Sequence, residues 1–447
     1  MTLDSTLFLL ALCSFLGLIV RHQRLRHFPL PPGPKRLPLI ENHFDIPLVK
    51  PWLTYKKWAE KHGDIIFMRV PFQPTVIVSS ANAAIDLMEK RSNIYSDRLV
   101  TTMDELSGWA WVFAFLPYGA KWRTRRRLFH QHFHQGAVGR YQHIETREAR
   151  AFIRRLAIDN FSLENVRQTA AAVIMGVAYG ITVADLNDKY VHIAHKALST
   201  LMDIKKPGAF WVDYVPLLRH IPTWVPGATA RKLGASVKPL VYAMRDEPYA
   251  ASKRDFDNGV ADFSVAHRMI EDLESRYSDS TSCYIEQEEV IKDALGMAYA
   301  AGFDTNFIST LVFFLAMAMY PHVQRKAQAE LDRVVGEGRL PSFDDYQTLL
   351  YVQAIVLETL RWMPALPMGN GHRVLVDDEY KGYHIPKGSL IVPNAWAMLH
   401  DSKDYPFPEE FNPDRFIADG RLSSKVRDPS TIAFGFGRRY ELRFLSV

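Results

Sequence analysis

The stretch from about Glu288 to Tyr320 constrains this chain most, because it holds a helical pattern without interruption until Pro321 stops it. At 1.5 Å per residue such a helix spans roughly 50 Å, enough to cross a whole domain. A membrane span is the rival reading. Asp304, Asn306 and Gly302 sit in mid-segment and the clean apolar run covers only Leu311 to Tyr320, so a central buried helix is expected. Helical patterns dominate from beyond Ser79 to about Trp362, and Pro321 opens a further helix that Gly336 ends. Before them, a helix over Trp52 to His62 precedes β-rich Ile65 to Ser79, where Val76 to Ser79 follow a Gln73-Pro74 turn. After them, His372 to Asn394 reads as short strands with a Pro386-Lys387-Gly388 turn. The expected fold class is mainly α with a small β-rich subdomain, without internal repeats.

Composition narrows the function. Apolar residues at 48% and charged residues at 23% exclude wholesale disorder and a polytopic membrane protein. A net charge of +5 over 447 residues is too dilute a field for nucleic-acid binding. With only Cys13 and Cys283, a disulfide framework, a four-cysteine zinc site and an iron–sulfur cluster lack ligands. The apolar run Leu7 to Val20 is followed by Arg21, Arg24 and Arg26, a charge order that favours an uncleaved anchor with a cytosolic body over a signal peptide. The sequon at Asn160 is then fortuitous. Pro31-Pro32-Gly33-Pro34 and Pro38 form a stiff extended segment, either a hinge holding the body off the bilayer or an ordinary linker. The expected organisation is an anchor over 1–20, a basic proline-rich hinge over 21–38 and one domain over 39–447.

Four constellations could carry chemistry. Ala301-Gly302-Phe303-Asp304-Thr305 puts a glycine and an aspartate inside the long helix; either a ligand lies against the opened backbone with the Thr305 hydroxyl bonded to it, or the segment is a core kink with Asp304 satisfied by a neighbour. Glu358 and Arg361 lie three apart on a helical face among apolar neighbours, which suggests a buried pair, and Arg415 is a candidate third member. Trp122 and Arg126, four apart within the basic run Lys121 to Arg127, can converge on a carboxylate, and the remaining cations read as a solvated face or a dock for an acidic partner. The loop Phe434-Gly435-Phe436-Gly437-Arg438-Arg439 has neither the Lys-Ser/Thr nor the strand-to-helix setting of a phosphate cradle. His130, His132 and His134, and likewise His192 and His195, lack a third ligand at metal spacing; no metal site is expected from them.

In this order and at these spacings, the features resemble the microsomal cytochrome P450 family, specifically fungal enzymes of secondary metabolism. The resemblance implies haem b as cofactor, with Trp122, Arg126, His372 and Arg439 as partners of its propionates. It implies Asp304 and Thr305 as the catalytic proton-delivery pair, and Glu358, Arg361 and Arg415 as a structural triad. It further implies electrons from NADPH-cytochrome P450 reductase docking on Lys121 to Arg127, and a single-pass place in the endoplasmic reticulum membrane. The substrate class it implies is a small hydrophobic metabolite such as a terpenoid, polyketide or aromatic alkaloid. Trp109, Trp111, Phe113 and Phe115 fall where the family roofs its substrate pocket, although packing explains them equally, and Phe210, Trp211 and Trp224 suit a membrane-dipping entrance or ordinary core.

One departure outweighs the matches. The family's haem loop continues to a ligating cysteine at position 441, where this sequence has Glu441, with Tyr440 and Arg443 also departing and Val447 last. A glutamate is a hard oxygen donor and does not supply the electron push of a thiolate. Neither Cys13, in the anchor, nor Cys283, before the long helix, is placed to substitute. The expectation is a P450 fold lacking its C-terminal helix and closing β-structure, with monooxygenation confined to a full-length form that carries the cysteine. The alternative is a membrane-anchored pseudoenzyme.

Overall fold

A computed structural model describes residues 28–38, 40–70, 73–159, 161–183, 188–206, 208–260, 263–278 and 280–440. The proposed anchor, with Cys13, the sequon Asn160 and Glu441 with the residues after it lie outside these. The long helix runs further than its sequence pattern indicates. It spans Thr281–Met319, about 58 Å at 1.5 Å per residue, so Cys283 stands on its first turn, exposed, rather than in a loop before it. The polar stretch Ser282 to Glu289 hid that start from a reading based on apolar period.

Among the described residues nine further long helices surround or flank it. In chain order they are α1 (Pro51–His62), α2 (Ala120–Phe133), α3 (Gln142–Asp159), α4 (Leu163–Tyr179), α5 (Lys189–Ile204), α6 (Thr229–Asp257) and α7 (Val265–Tyr277). The long helix is α8, followed by α9 (Pro321–Val334) and α10 (Leu350–Trp362). Among the described residues α8 alone is long and apolar enough to cross a membrane, yet α2, α4, α6 and α7 pack directly on it. Tyr299 and Phe303 are fully buried in the largest core, among Tyr179, Val241, Met269 and Ile270. Pro321 opens α9 at its first position, where no N–H is needed, and Gly336 follows its end at φ +77°.

The β-rich part is a four-stranded sheet in the order β1 (Ile65–Val70), β2 (Gln73–Val78), β6 (Leu390–Pro393), β3 (His372–Arg373). Strands β1 and β2 pair antiparallel, β2 and β6 parallel, β6 and β3 antiparallel. Gln73-Pro74 is strand rather than turn: Pro74 pairs with Arg69, while the pairing of β2 with β6 begins one residue later at Thr75. A proline is tolerated there because it lies where the second ladder has not yet started. A small hairpin of β4 (Asp378–Tyr380) and β5 (Tyr383–Ile385) precedes the Pro386-Lys387-Gly388 turn, closed by Ser389 N–H to Pro386 O at 3.1 Å.

The proline-rich segment is docked from Pro29 onward. Phe67 N–H donates to Pro32 O at 2.9 Å and His384 N–H to Pro29 O at 2.9 Å, and a Cβ on Gly33 would lie 1.9 Å from Phe67 O. Only glycine lets the backbone come so near the sheet edge.

Candidate functional site

The pair Glu358 and Arg361 follows from α10 itself, since a spacing of three puts both on its buried face. Both are fully buried. Arg361 Nε and Nη2 donate to the two Glu358 oxygens at 2.7 and 2.8 Å, and Nη1 and Nη2 donate on to the carbonyls of Leu399, Pro408 and Glu410. Arg415 Nε reaches Glu358 Oε1 at 3.3 Å, and Asn412 N–H reaches the same oxygen at 2.7 Å. The three residues therefore stitch α10 to the loop 399–416, which leads into the glycine-rich segment.

That segment turns by left-handed backbone, Gly435 at φ +86° and Gly437 at φ +59°. Any side chain at Gly437 would lie 2.0 Å from Met88 O, so the glycine is required by a close approach to the turn Ile85–Lys90. Phe436 is buried in the second core, and Phe434 faces a cavity of about 930 Å³. A face of α8 lines it too: Ala298, Ala301, Gly302, Thr305 and Ser309 recur at helical spacing.

One wall of this cavity is cationic. Trp122 and Arg126 come from α2, Arg439 from the turn after Gly437, and Arg98 from the segment after Tyr95. Arg439 lies over the Trp122 ring at 4.6 Å and is spread over three carbonyls, with Nε to Ser96 O at 2.8 Å and Nη2 to Leu116 O at 2.8 Å. Burial pushes its guanidinium down to about 10. Arg98 is just as buried, with Nε on Ala114 O at 3.0 Å and Nη1 on Asn370 O at 2.6 Å. Arg126 donates to Tyr440 O, which ties α2 to the end of the described chain. Three guanidiniums and an indole gathered in one part of the cavity form a donor set for carboxylates.

The predicted residues divide over this geometry. Trp122, Arg126, Arg439 and Thr305 line the cavity. His372 is not among its lining residues: it is buried beside β6 with Nδ1 2.7 Å from Tyr95 O, so that nitrogen carries the proton. Burial, with Arg98 and Arg439 nearby, holds His372 well below the usual histidine range, which leaves it neutral and Nε2 an acceptor. Thr305 donates its hydroxyl to Ala301 O at 2.7 Å, and α8 is unbroken there, so in this state the hydroxyl is bonded to its own helix. Asp304 lies about 100° around the helix from Thr305. It is absent from the cavity wall and faces the charges of Arg167 and His195, and burial pushes its carboxyl up.

Sequence reasoning missed Arg98, one of many isolated arginines. Its place is set by contacts remote in sequence, with Arg373 N–H to Asp97 O at 2.8 Å and Arg98 itself on Asn370 and Gly371. It also misplaced Arg125, which turns inward to Asp293, so the exposed basic face of α2 is Lys121, Arg123 and Arg127. Of the four aromatics before Trp122, only Phe113 reaches the cavity; Trp109 and Trp111 are core. Trp224, at 80% exposure, is not core. No group of three metal-ligating side chains occurs among the described residues.

The cationic wall has the donors that the two propionates of a haem would take, with Trp122, Arg126, Arg98 and Arg439 as the residues that would hold them. A family model for cytochrome P450 matches residues 31–440. The chain is 40% identical over 436 residues to cytochrome P450 monooxygenase ple1 of Rhodocybe pseudopiperita, covering 96% of this chain and 82% of that protein. It is 42% identical over 434 residues to cytochrome P450 monooxygenase 208 of Postia placenta, covering 96% and 82%. It is 36% identical over 425 residues to the tryptamine 4-monooxygenase of Psilocybe cyanescens, covering 93% and 82%. A match of this extent, on a mainly helical fold, places the chain in the cytochrome P450 family.

Proposed function

We propose that this fold is that of a fungal haem monooxygenase of secondary metabolism that hydroxylates a small apolar metabolite, and that Glu441 withholds the thiolate from this chain. The observation that supports it is the convergence of Trp122, Arg126, Arg98 and Arg439 on one cavity that Gly302 and Thr305 of α8 also line. Trp122 and the three arginines would hold the propionates of haem b. Haem, when bound, supplies reductive activation of dioxygen. Thr305 keeps its hydroxyl proton on Ala301 O, and rotation about Cβ–Oγ turns that proton toward the cavity. Asp304, whose carboxyl burial pushes up, faces Arg167 and His195 rather than the cavity, so a part in proton delivery requires a side-chain rotation or a water path to Thr305. The apolar lining, Phe113, Phe129, Val173 and Met297 among it, excludes water and suits an apolar substrate.

Electrons would come from NADPH-cytochrome P450 reductase, with the exposed Lys121, Arg123 and Arg127 as the cationic half of that contact. Attachment to the endoplasmic reticulum membrane through Leu7 to Val20 agrees with the exposed apolar surface around Trp211, Leu217 and Trp224.

A second reading, a pseudoenzyme that binds haem or apolar ligands without oxygenating them, is favoured by Glu441 alone. Product formation by Glu441→Cys supplied with the reductase separates the two, and the reduced carbon-monoxide difference spectrum tests the haem ligation that both assume. We expect stoichiometric haem uptake by the purified full chain with a carbon-monoxide band lacking thiolate character, and the thiolate band in Glu441→Cys. A chain that takes up no haem refutes the haem reading; a thiolate band in the unaltered chain refutes the role given to position 441.

A further inference from the structure

Behind the cavity wall, three helices meet on one buried carboxylate. Asp293 of α8 is 2% exposed, and its Oδ2 accepts from Arg125 Nε of α2 at 2.7 Å while Oδ1 accepts from Arg245 Nη1 of α6 at 3.0 Å. Arg245 is held in turn by Asp246 at 2.7 Å and Glu289 at 3.1 Å, and its guanidinium stacks 5.9 Å from the Trp111 ring. Trp111 abuts Gly296, where a Cβ would lie 2.9 Å from the indole. Arg125 is the exception, because among the described residues Asp293 is its one ion-pair partner.

Fold stability is a weak account of this arrangement. A buried ion pair commonly fails to repay the desolvation of its charges, and burial pushes the Asp293 carboxyl up despite both guanidiniums. What the pair does is fix a distance. Lys121 to Arg127 carries five cations in seven residues, whose mutual repulsion disfavours a helix pressed against a wall. Arg125 stands next to Arg126 and three residues beyond Trp122, the two polar members of the three α2 residues that line the cavity, Phe129 being the third. A bond from Arg125 to α8 therefore sets both the height of α2 over the cavity and its rotation about its own axis.

We infer that Asp293 is a positioning residue that, through Arg125, aims Trp122 and Arg126 at the carboxylates of the bound group. The inference rests on the haem reading above. Asp293 touches neither the cavity nor the ligand, and it acts by holding α2 in register with α8 against the repulsion within the basic run.

The test compares haem with haem dimethyl ester, which has the same ring and no carboxylates, as ligands of the full chain in detergent. The unaltered chain should prefer haem to the ester. Asp293→Asn should weaken haem binding by about tenfold, as outer-layer partners of a cofactor site typically do, and leave the ester unchanged. Asp293→Glu should recover part of the preference. Arg125→Gln, whose side chain lies nearer the surface, repeats the comparison should Asp293→Asn fail to fold. Equal losses for haem and ester, or an unchanged preference in both variants, overturn the inference while leaving the haem reading intact. An unaltered chain that binds neither ligand overturns the haem reading instead.

Discussion

Replacing Arg361 by alanine should remove more stability than any single apolar truncation in this fold. Its guanidinium is fully buried and makes five hydrogen bonds, two to Glu358 and three to the carbonyls of Leu399, Pro408 and Glu410. Truncation leaves the Glu358 carboxylate buried with only Arg415 and the Asn412 N–H for compensation, a loss of about 3–5 kcal/mol for a broken buried pair. The carbonyls of Leu399 and Pro408 lose this donor as well, each at about 1 kcal/mol or more, whereas Glu410 O keeps a 3.4 Å contact from Arg415. A total of roughly 5 kcal/mol is of the order of the whole stability of a folded chain. We expect Arg361→Ala to yield insoluble, haem-free protein, or at best a melting temperature lowered by roughly 10 °C. Arg361→Lys restores the charge but not the five-donor fork, and should fall between. Thermal melts of detergent-purified protein, with haem content measured alongside, make the comparison. A soluble Arg361→Ala protein melting within a few degrees of the parent would refute the argument that this network joins α10 to the haem-loop side.

Burial pushes the Glu145 carboxyl, on the cavity wall, from the ordinary 4.5 up to about 7. Over that window the folded state keeps a proton that the unfolded chain has released, so stability should fall by up to about 3 kcal/mol as pH rises through it and level off above; a Glu145→Gln melt series retaining the same slope would exclude Glu145 as the cause. In a Glu441→Cys background, Thr305→Ala should keep haem and stability within about 1 kcal/mol but uncouple NADPH consumption from product, and unchanged coupling would remove Thr305 from proton delivery. Leu217→Ser with Trp224→Ser should weaken liposome association of a protein lacking residues 1–27 without altering its melt, and equal flotation would exclude this surface from lipid contact.

Reading by period and spacing found the elements whose reasons are local. Proline at the start of α9 and glycine after its end, the buried i,i+3 pair on α10, and the turn at Pro386-Lys387-Gly388 all depend on a few neighbouring backbone angles. The same reading failed where a residue's environment came from elsewhere. It began α8 seven residues late because the first turns are polar, and it made Gln73-Pro74 a turn although both pair across the β1–β2 hairpin with Val70 and Arg69.

By itself, then, the amino-acid order determined which segments are helix or strand, which residue types could meet an anionic cofactor, and that a glutamate stands where a sulfur is expected. The tertiary structure alone decided that Arg98 joins the cationic wall, that Arg125 leaves it for Asp293, and that Asp304 and Thr305 face different sides of one helix. The physical reason is range. Backbone sterics and helical period act over a few residues, whereas the partner of a buried charge is chosen by where desolvation leaves it in the packed chain, often hundreds of positions away.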